Sequence, residues 1–250
     1  MSGHSKWHNI KLRKGKADAQ RGALFTKVSK EIILAVKGGS PDPEANYRLK
    51  MALEKAREAN MPQDTIKRAV ARATGAEGGK EIEEIRYEGY GPAGVAVIVE
   101  AATDNRNRSA GELRFLFGRH GGTLGESNSV AWMFEQRGFI EVENGSLDED
   151  ALTEAVLVDG VVDVRYAVSE GRSEIVTEPA ALAAARERLS QAGLRVRSMM
   201  LGFDPKQSLR PNDDQVRKVV DFLEELEEHE DVQRVFSNAE LDAAQLAALA

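Results

Sequence analysis

Apolar residues recur through the first third of the chain at helical spacing. Phe25, Val28, Ile32 and Val36 fall at i, i+3, i+7 and i+11, and predict a helix beginning near Gly22 and ended by Gly38-Gly39-Ser40-Pro41. Leu49, Ala52, Leu53 and Ala56 mark a second helix after Pro43, closed by Asn60. Ile66, Ala69, Val70 and Ala73 mark a third, opened by Pro62 and stopped by Gly75. Residues 76–85 (AEGGKEIEEI) are Gly-rich and charged and read as a linker. The period then changes. Val95–Ala101 is a nearly continuous apolar run, as expected of a buried strand. Ser109 and Glu112 have capping-box spacing ahead of a helix carrying Leu113, Leu116 and Phe117, with Gly121-Gly122 as its stop. Further strands are expected at Thr123–Ser127 and Val130–Glu135.

The next stretch gives strands at 139–142, 162–168, 174–177 and 194–201, with helices at 149–157 and 179–191. That is the βαββαβ order of a ferredoxin-like unit. The preceding segment supplies only β-α-β-β. A helix through Val216, Val219, Val220, Leu223 and Leu226 and a strand at 232–236 complete it from the far end of the chain. The expected architecture is therefore α+β. An arm plus three-helix domain spans 1–79. A discontinuous ferredoxin-like domain takes 80–136 and 204–240, a second such domain at 137–203 is inserted in it, and 241–250 form a tail.

Charge sharpens this division. The chain has a net charge of −7, yet residues 1–75 hold 16 Lys and Arg against 7 Asp and Glu, a balance of +9, which leaves −16 for the remainder. The basic part attracts phosphate, and most of the acidic part repels it or meets protein partners. Within the arm, Lys6, Lys11, Arg13, Lys14, Lys16, Arg21 and Lys27 face a single acid, Asp18. Such cations bind phosphates largely irrespective of sequence. Trp7, with His8 beside it, adds a ring that can stack on an unpaired base. Arg106 and Arg108, at the start of a helix, offer a second contact for a phosphate or an RNA backbone.

Other chemistry is thinly represented. Gly89-Tyr90-Gly91-Pro92-Ala93-Gly94 matches G-x-G-x-x-G but precedes a strand, so it reads as a turn. His4 and His8 are spaced i, i+4 without a carboxylate or cysteine beside them, so no metal or cofactor is expected. The chain has no cysteine, no apolar run long enough to span a membrane and a polar, basic start, which together suit a cytoplasmic protein. No set of nucleophile, base and orienting group emerges, so an enzyme is not expected. A phosphate-handling enzyme built on Arg106–Ser109 is the remote alternative.

Four segments carry a resemblance to a known family: MSGHSKWHNIKLRKGKADAQRGALFTKVSKEI, NYRLKMALEKAREANMPQDTIKRAV, YEGYGPAGVAVIVEAATDNRNR and GGTLGESNSVAWMFEQRG. They closely resemble the YebC/PmpR family across nearly the whole chain. The resemblance implies a three-domain, non-enzymatic protein of bacterial cytoplasm, labelled a DNA-binding transcriptional regulator. It also implies an alternative. A mitochondrial relative activates translation of cytochrome c oxidase, and bacterial members are linked to ribosomes and to relief of stalling at proline-rich sequences. The nucleic-acid partner is thus DNA by the family label, with rRNA, tRNA or the ribosome as the alternative. On physical grounds, a basic arm with an aromatic suits irregular or single-stranded RNA at least as well.

Overall fold

The computed structural model describes residues 19–76, 78–144, 147–166, 171–241 and 245. Three helices come first: α1 (Ala19–Lys37), α2 (Tyr47–Glu58) and α3 (Gln63–Ala73). Their apolar stripes meet in one core through Val28, Ile32, Leu49, Ala52, Ala56, Ile66 and Ala69, which is the packing the spacing predicts. Asn46 sets the α1–α2 corner. Its side-chain oxygen accepts from Leu49 N at 3.1 Å, and its amide donates to Ala35 O at 2.8 Å and Ser40 O at 2.7 Å. One buried side chain thus caps α2 and satisfies two carbonyls near the end of α1. Asn46→Ala removes all three bonds. It is expected to lower stability by about 2–3 kcal/mol in thermal unfolding.

Two four-stranded antiparallel sheets follow, in orders β3-β1-β2-β8 and β5-β6-β4-β7. The first contains β1 (Glu83–Tyr90), β2 (Ala96–Thr103), β3 (Thr123–Leu124) and β8 (Val232–Ser237). Helices α4 (Arg106–Arg119) and α7 (Asp213–Glu228) cover the face bearing Val95, Val97 and Val99. Phe117 of α4 meets Phe222 of α7 edge to face, centroids 4.9 Å apart. The opposite face, Ala96 and Ile98, packs on Val130, Phe134, Met200 and Phe203, where the second sheet joins. Both faces of β2 are covered, hence its nearly unbroken apolar sequence.

The second sheet holds β4 (Phe134–Glu143), β5 (Val161–Arg165), β6 (Arg172–Thr177) and β7 (Val196–Pro205), with α5 (Glu149–Ala155) and α6 (Leu182–Gln191). Its connectivity is βαββαβ, and in the chain it falls between β3 and α7 of the first unit. It is tied to the helical domain where Arg186 stacks on the Tyr47 ring at 4.2 Å and Arg197 pairs with Glu58 at 3.2 Å.

Several details depart from the sequence reading. Residues 83–90, partly assigned to a linker, form β1, an inner strand of the first sheet. β2, α4 and β3 form a crossover with β1 lying between the two strands, the split arrangement of a ferredoxin-like sheet, but β1 comes first in the chain. The strand expected at 130–135 is instead a turn followed by the start of β4, which continues through 139–142 as one strand of the second sheet. The cap of α4 is Asn105, whose side chain accepts from Arg108 N, and Ser109 lies inside the helix. The G-x-G-x-x-G segment is the β1–β2 hairpin turn, with Ala93 and Gly94 at φ 59° and 77°.

Candidate nucleic-acid interface and the joint behind it

The cations of the helical domain divide into two groups. Most are compensated within the chain. Lys37 pairs with Glu81 at 2.7 Å, Lys55 with Glu31 at 2.8 Å and Lys50 with Glu44 at 3.4 Å, while Arg48 pairs with Glu84. Arg72 donates to the Lys80 carbonyl at 2.6 Å. Arg21, Arg57, Lys67 and Arg68 are exposed, and their side chains make no hydrogen bond or ion pair with another described residue. Arg57 and Lys67 stand on the rim of a groove of about 410 Å³ floored by Leu49, Leu53, Ile66 and Val70, and among the described residues no acidic one lines it. An apolar floor beneath two unpaired cations, in an acidic protein, is a surface suited to an anionic partner.

Lys6, Trp7, His8, Lys11, Arg13, Lys14 and Lys16 lie outside the described residues. Arg21 is exposed near the start of α1. Arg106 is the first residue of α4, with its side chain 66% exposed and 3.8 Å from Glu83. Lys27 and Arg108 have partners inside the chain. The Lys27 ammonium donates to the carbonyl of Glu227 in the last turn of α7. Lys30, one turn further along α1, donates to Glu230 O at 3.1 Å and to the Asp231 carboxylate. Two lysines at i, i+3 thus meet the carbonyl-rich end of α7, where a helix leaves acceptors unsatisfied and its dipole favours cations.

Asp231 is the hub of this joint. It is wholly buried between α7 and β8. Besides Lys30, Arg108 Nη2 donates to both its oxygens, at 3.0 and 2.9 Å, and Ser109 Oγ donates to Oδ2 at 2.6 Å. Its backbone carbonyl accepts from Ala102 N at 2.7 Å, extending the β2–β8 pairing. Burial by itself raises the Asp231 pKa. Hydrogen bonds from Arg108, Lys30 and Ser109 outweigh it and hold the value at about 2. The joint welds α1 of the basic domain to α4, α7 and β2 of the first sheet.

Glu112, His229 and Asp231 also bring three potential metal-ligand atoms within 4.8 Å of one another. Lys30 and Arg108 already neutralise Asp231, so a metal ion there would face two fixed positive charges. His229 bonds Glu112 at 3.0 Å and accepts from Asp231 N at 3.1 Å, which serves the turn into β8. No described helix is long and apolar enough to cross a membrane.

Comparison with known proteins gives this arrangement a family. Residues 5–76 match the TACO1/YebC protein N-terminal domain, and residues 82–239 match the TACO1/YebC second and third domain. The chain belongs to the TACO1/YebC family. A relative from Moorella thermoacetica is 47% identical over 98% of this chain and 97% of its own, and carries the name "Probable transcriptional regulatory protein". One from Caldanaerobacter subterraneus, similarly named, is 45% identical over 97% of this chain and 99% of its own. A crystal structure of a conserved hypothetical protein from Aquifex aeolicus superimposes with a TM-score of 0.81 at 41% identity, covering 92% of this chain and 94% of that one. The α+β class with leading helices and two antiparallel sheets is thus shared with that solved structure. By name, these relatives are regulators.

Proposed function

We propose that this TACO1/YebC protein is a non-enzymatic, cytoplasmic regulator of gene expression that binds nucleic acid through its basic N-terminal domain. One observation carries the proposal. The exposed cations Arg21, Arg57, Lys67 and Arg68, unpaired among the described residues, lie in the domain that the basic arm precedes. The rest of the chain is acidic and limits non-specific phosphate binding elsewhere. The names of the relatives make promoter DNA the first partner to test. A ribosome-bound translation factor is the second reading, favoured by Trp7 within the arm, because an aromatic among cations suits unpaired bases. The acidic domains position the basic one or meet a protein partner.

Crosslinking the protein to nucleic acid in cells and sequencing the product tests both readings. Dominant promoter fragments sink the ribosomal reading, dominant rRNA and tRNA sink the promoter reading, and absence of any crosslink sinks the proposal. In vitro, the triple variant Arg57→Ala/Lys67→Ala/Arg68→Ala is expected to weaken binding uniformly across sequences. Its log Kd against log salt slope falls by about 2–3, close to one for each phosphate no longer neutralised.

A further inference from the structure

A second surface is built around Trp132, in the turn that leads from the first sheet into β4. Its side chain is exposed (66%), yet it is held in place: the indole N–H donates to Ser129 O at 3.2 Å. The Tyr90 hydroxyl reaches the same carbonyl at 3.5 Å, so two rings converge on one acceptor. The turn beneath them is anchored by a buried carboxylate. Glu88, 2% exposed, accepts from Val130 N at 3.1 Å and Ala131 N at 2.8 Å. Asn128 takes a positive φ of 68°, and Val130 is a fully buried plug. Both of these bonds go to Oε2, while Oε1 faces the Arg86 guanidinium at 3.3 Å, so the buried charge is paired and holds the backbone that displays the ring.

We propose that Trp132 is a stacking platform for an unpaired base of a single-stranded nucleic acid, with Lys206 placed for an adjoining phosphate. Lys206 is exposed, and its backbone N–H donates to Met133 O at 2.9 Å, so its backbone lies against the residue that follows Trp132. The apolar surface here is narrow. Of the residues bonded into the turn, Tyr90 and Trp132 are the exposed large hydrophobics, and the exposed residues just ahead of the turn, Glu126, Ser127 and Asn128, are polar. A protein interface needs a broader apolar centre. A base needs one rigid ring face and a nearby cation. The fixed rotamer keeps the ordering cost of binding low. This proposal rests on the nucleic-acid reading above and adds a contact at the junction of the two sheets, apart from the basic domain.

The chain contains two tryptophans, Trp7 and Trp132, so full-length Trp7→Phe reports on Trp132 alone. The probe is a mixed-sequence 12-nucleotide single-stranded RNA, with the blunt duplex of the same sequence as control. Trp132 emission is expected to be quenched by the single strand, saturating at the Kd obtained from anisotropy of the labelled RNA. In the otherwise native chain, Trp132→Ala is expected to weaken single-strand binding by about 5- to 150-fold. Trp132→Phe restores most of that loss, and duplex binding stays unchanged. Single-strand binding with unmoved Trp132 emission, and with Trp132→Ala at native affinity, overturns this proposal, leaves the parent reading standing and returns the ring to a protein partner. Failure of every form of the chain to bind RNA or DNA overturns the parent reading and this one with it.

Discussion

Asp231→Ala is expected to lower the unfolding free energy by about 3–5 kcal/mol, measured by urea denaturation at pH 7. The size follows from what the carboxylate leaves behind. Lys30 is 8% exposed, and without Asp231 its ammonium keeps the Glu230 carbonyl, a neutral acceptor, as its remaining partner here. Arg108 loses both bonds to the carboxylate, and Ser109 loses its shortest one. Removing the central member leaves the Lys30 ammonium without a carboxylate, while Arg108 keeps Asp104 at 3.3 Å. Lys30→Met is a milder change. Asp231 then retains Arg108 and Ser109, and the methionine fills the lysine's apolar path. Asp231→Ala is therefore expected to cost more than Lys30→Met. The reverse order would show that the cluster is not centred on the carboxylate.

The same group sets an acid limb. Its folded pKa of about 2 lies below the ordinary aspartate value of about 3.9, so folding is favoured whenever the carboxyl is ionised. This contribution, about 2–3 kcal/mol, is fully present above about pH 4 and is lost as pH falls through 2. Many other carboxyls titrate in that range, so the useful quantity is a difference. The stability gap between the native chain and Asp231→Asn is expected to be constant from pH 7 to 5 and to shrink from pH 4 to 2. Because the hub is buried, the gap should change little between low salt and 0.5 M salt.

The helical domain and the second sheet were legible because each element keeps a single period. The stripe through Val28 and Ile32 buries one face, and the β4–β7 unit runs βαββαβ in one continuous stretch of chain. β1 was hidden by its charges. Glu83 and Glu84 read as the end of a linker and Arg86 and Glu88 as no element, but the fold gives each a partner: Arg106, Arg48, one another for Arg86 and Glu88, and the backbone at 130–131 for Glu88. The run Val130–Glu135 read as a strand because it is apolar. Glu88 captures the N–H groups of Val130 and Ala131 and turns the chain there, which places Trp132 outside. Ser109 resembled a cap, but its hydroxyl bonds to Asp231, and Asn105 caps the helix. Asp231 itself gave no signal. Its partners lie 201 and 123 residues away in Lys30 and Arg108, and only the closed fold brings them together. The same long-range pairing accounts for Lys27 and Arg108, which look like free cations in sequence and are joint residues in the fold.

Full-length protein with Lys11, Arg13, Lys14 and Lys16 all replaced by alanine is expected to lose about a thousandfold in nucleic-acid affinity at 0.1 M salt. The slope of log Kd against log salt should fall by about 3–4. The expectation rests on compensation. Lys27 and Lys30 meet the end of α7, and Lys37, Arg48, Lys50 and Lys55 meet carboxylates of the same chain. The segment from residue 1 to 21 has six Lys and Arg and one acid, Asp18, so its sequence supplies no equivalent set of counter-charges. Each of its cations can displace a condensed counterion on a phosphate backbone, and the affinity difference grows as salt is lowered. Residual binding is assigned to Arg21, Arg57, Lys67 and Arg68, and it should fall further when the triple variant is combined with the quadruple one, which leaves Arg21 in place. An unchanged slope would remove the arm from the interface and leave the groove rim and the Trp132 turn as the places where nucleic acid meets this protein.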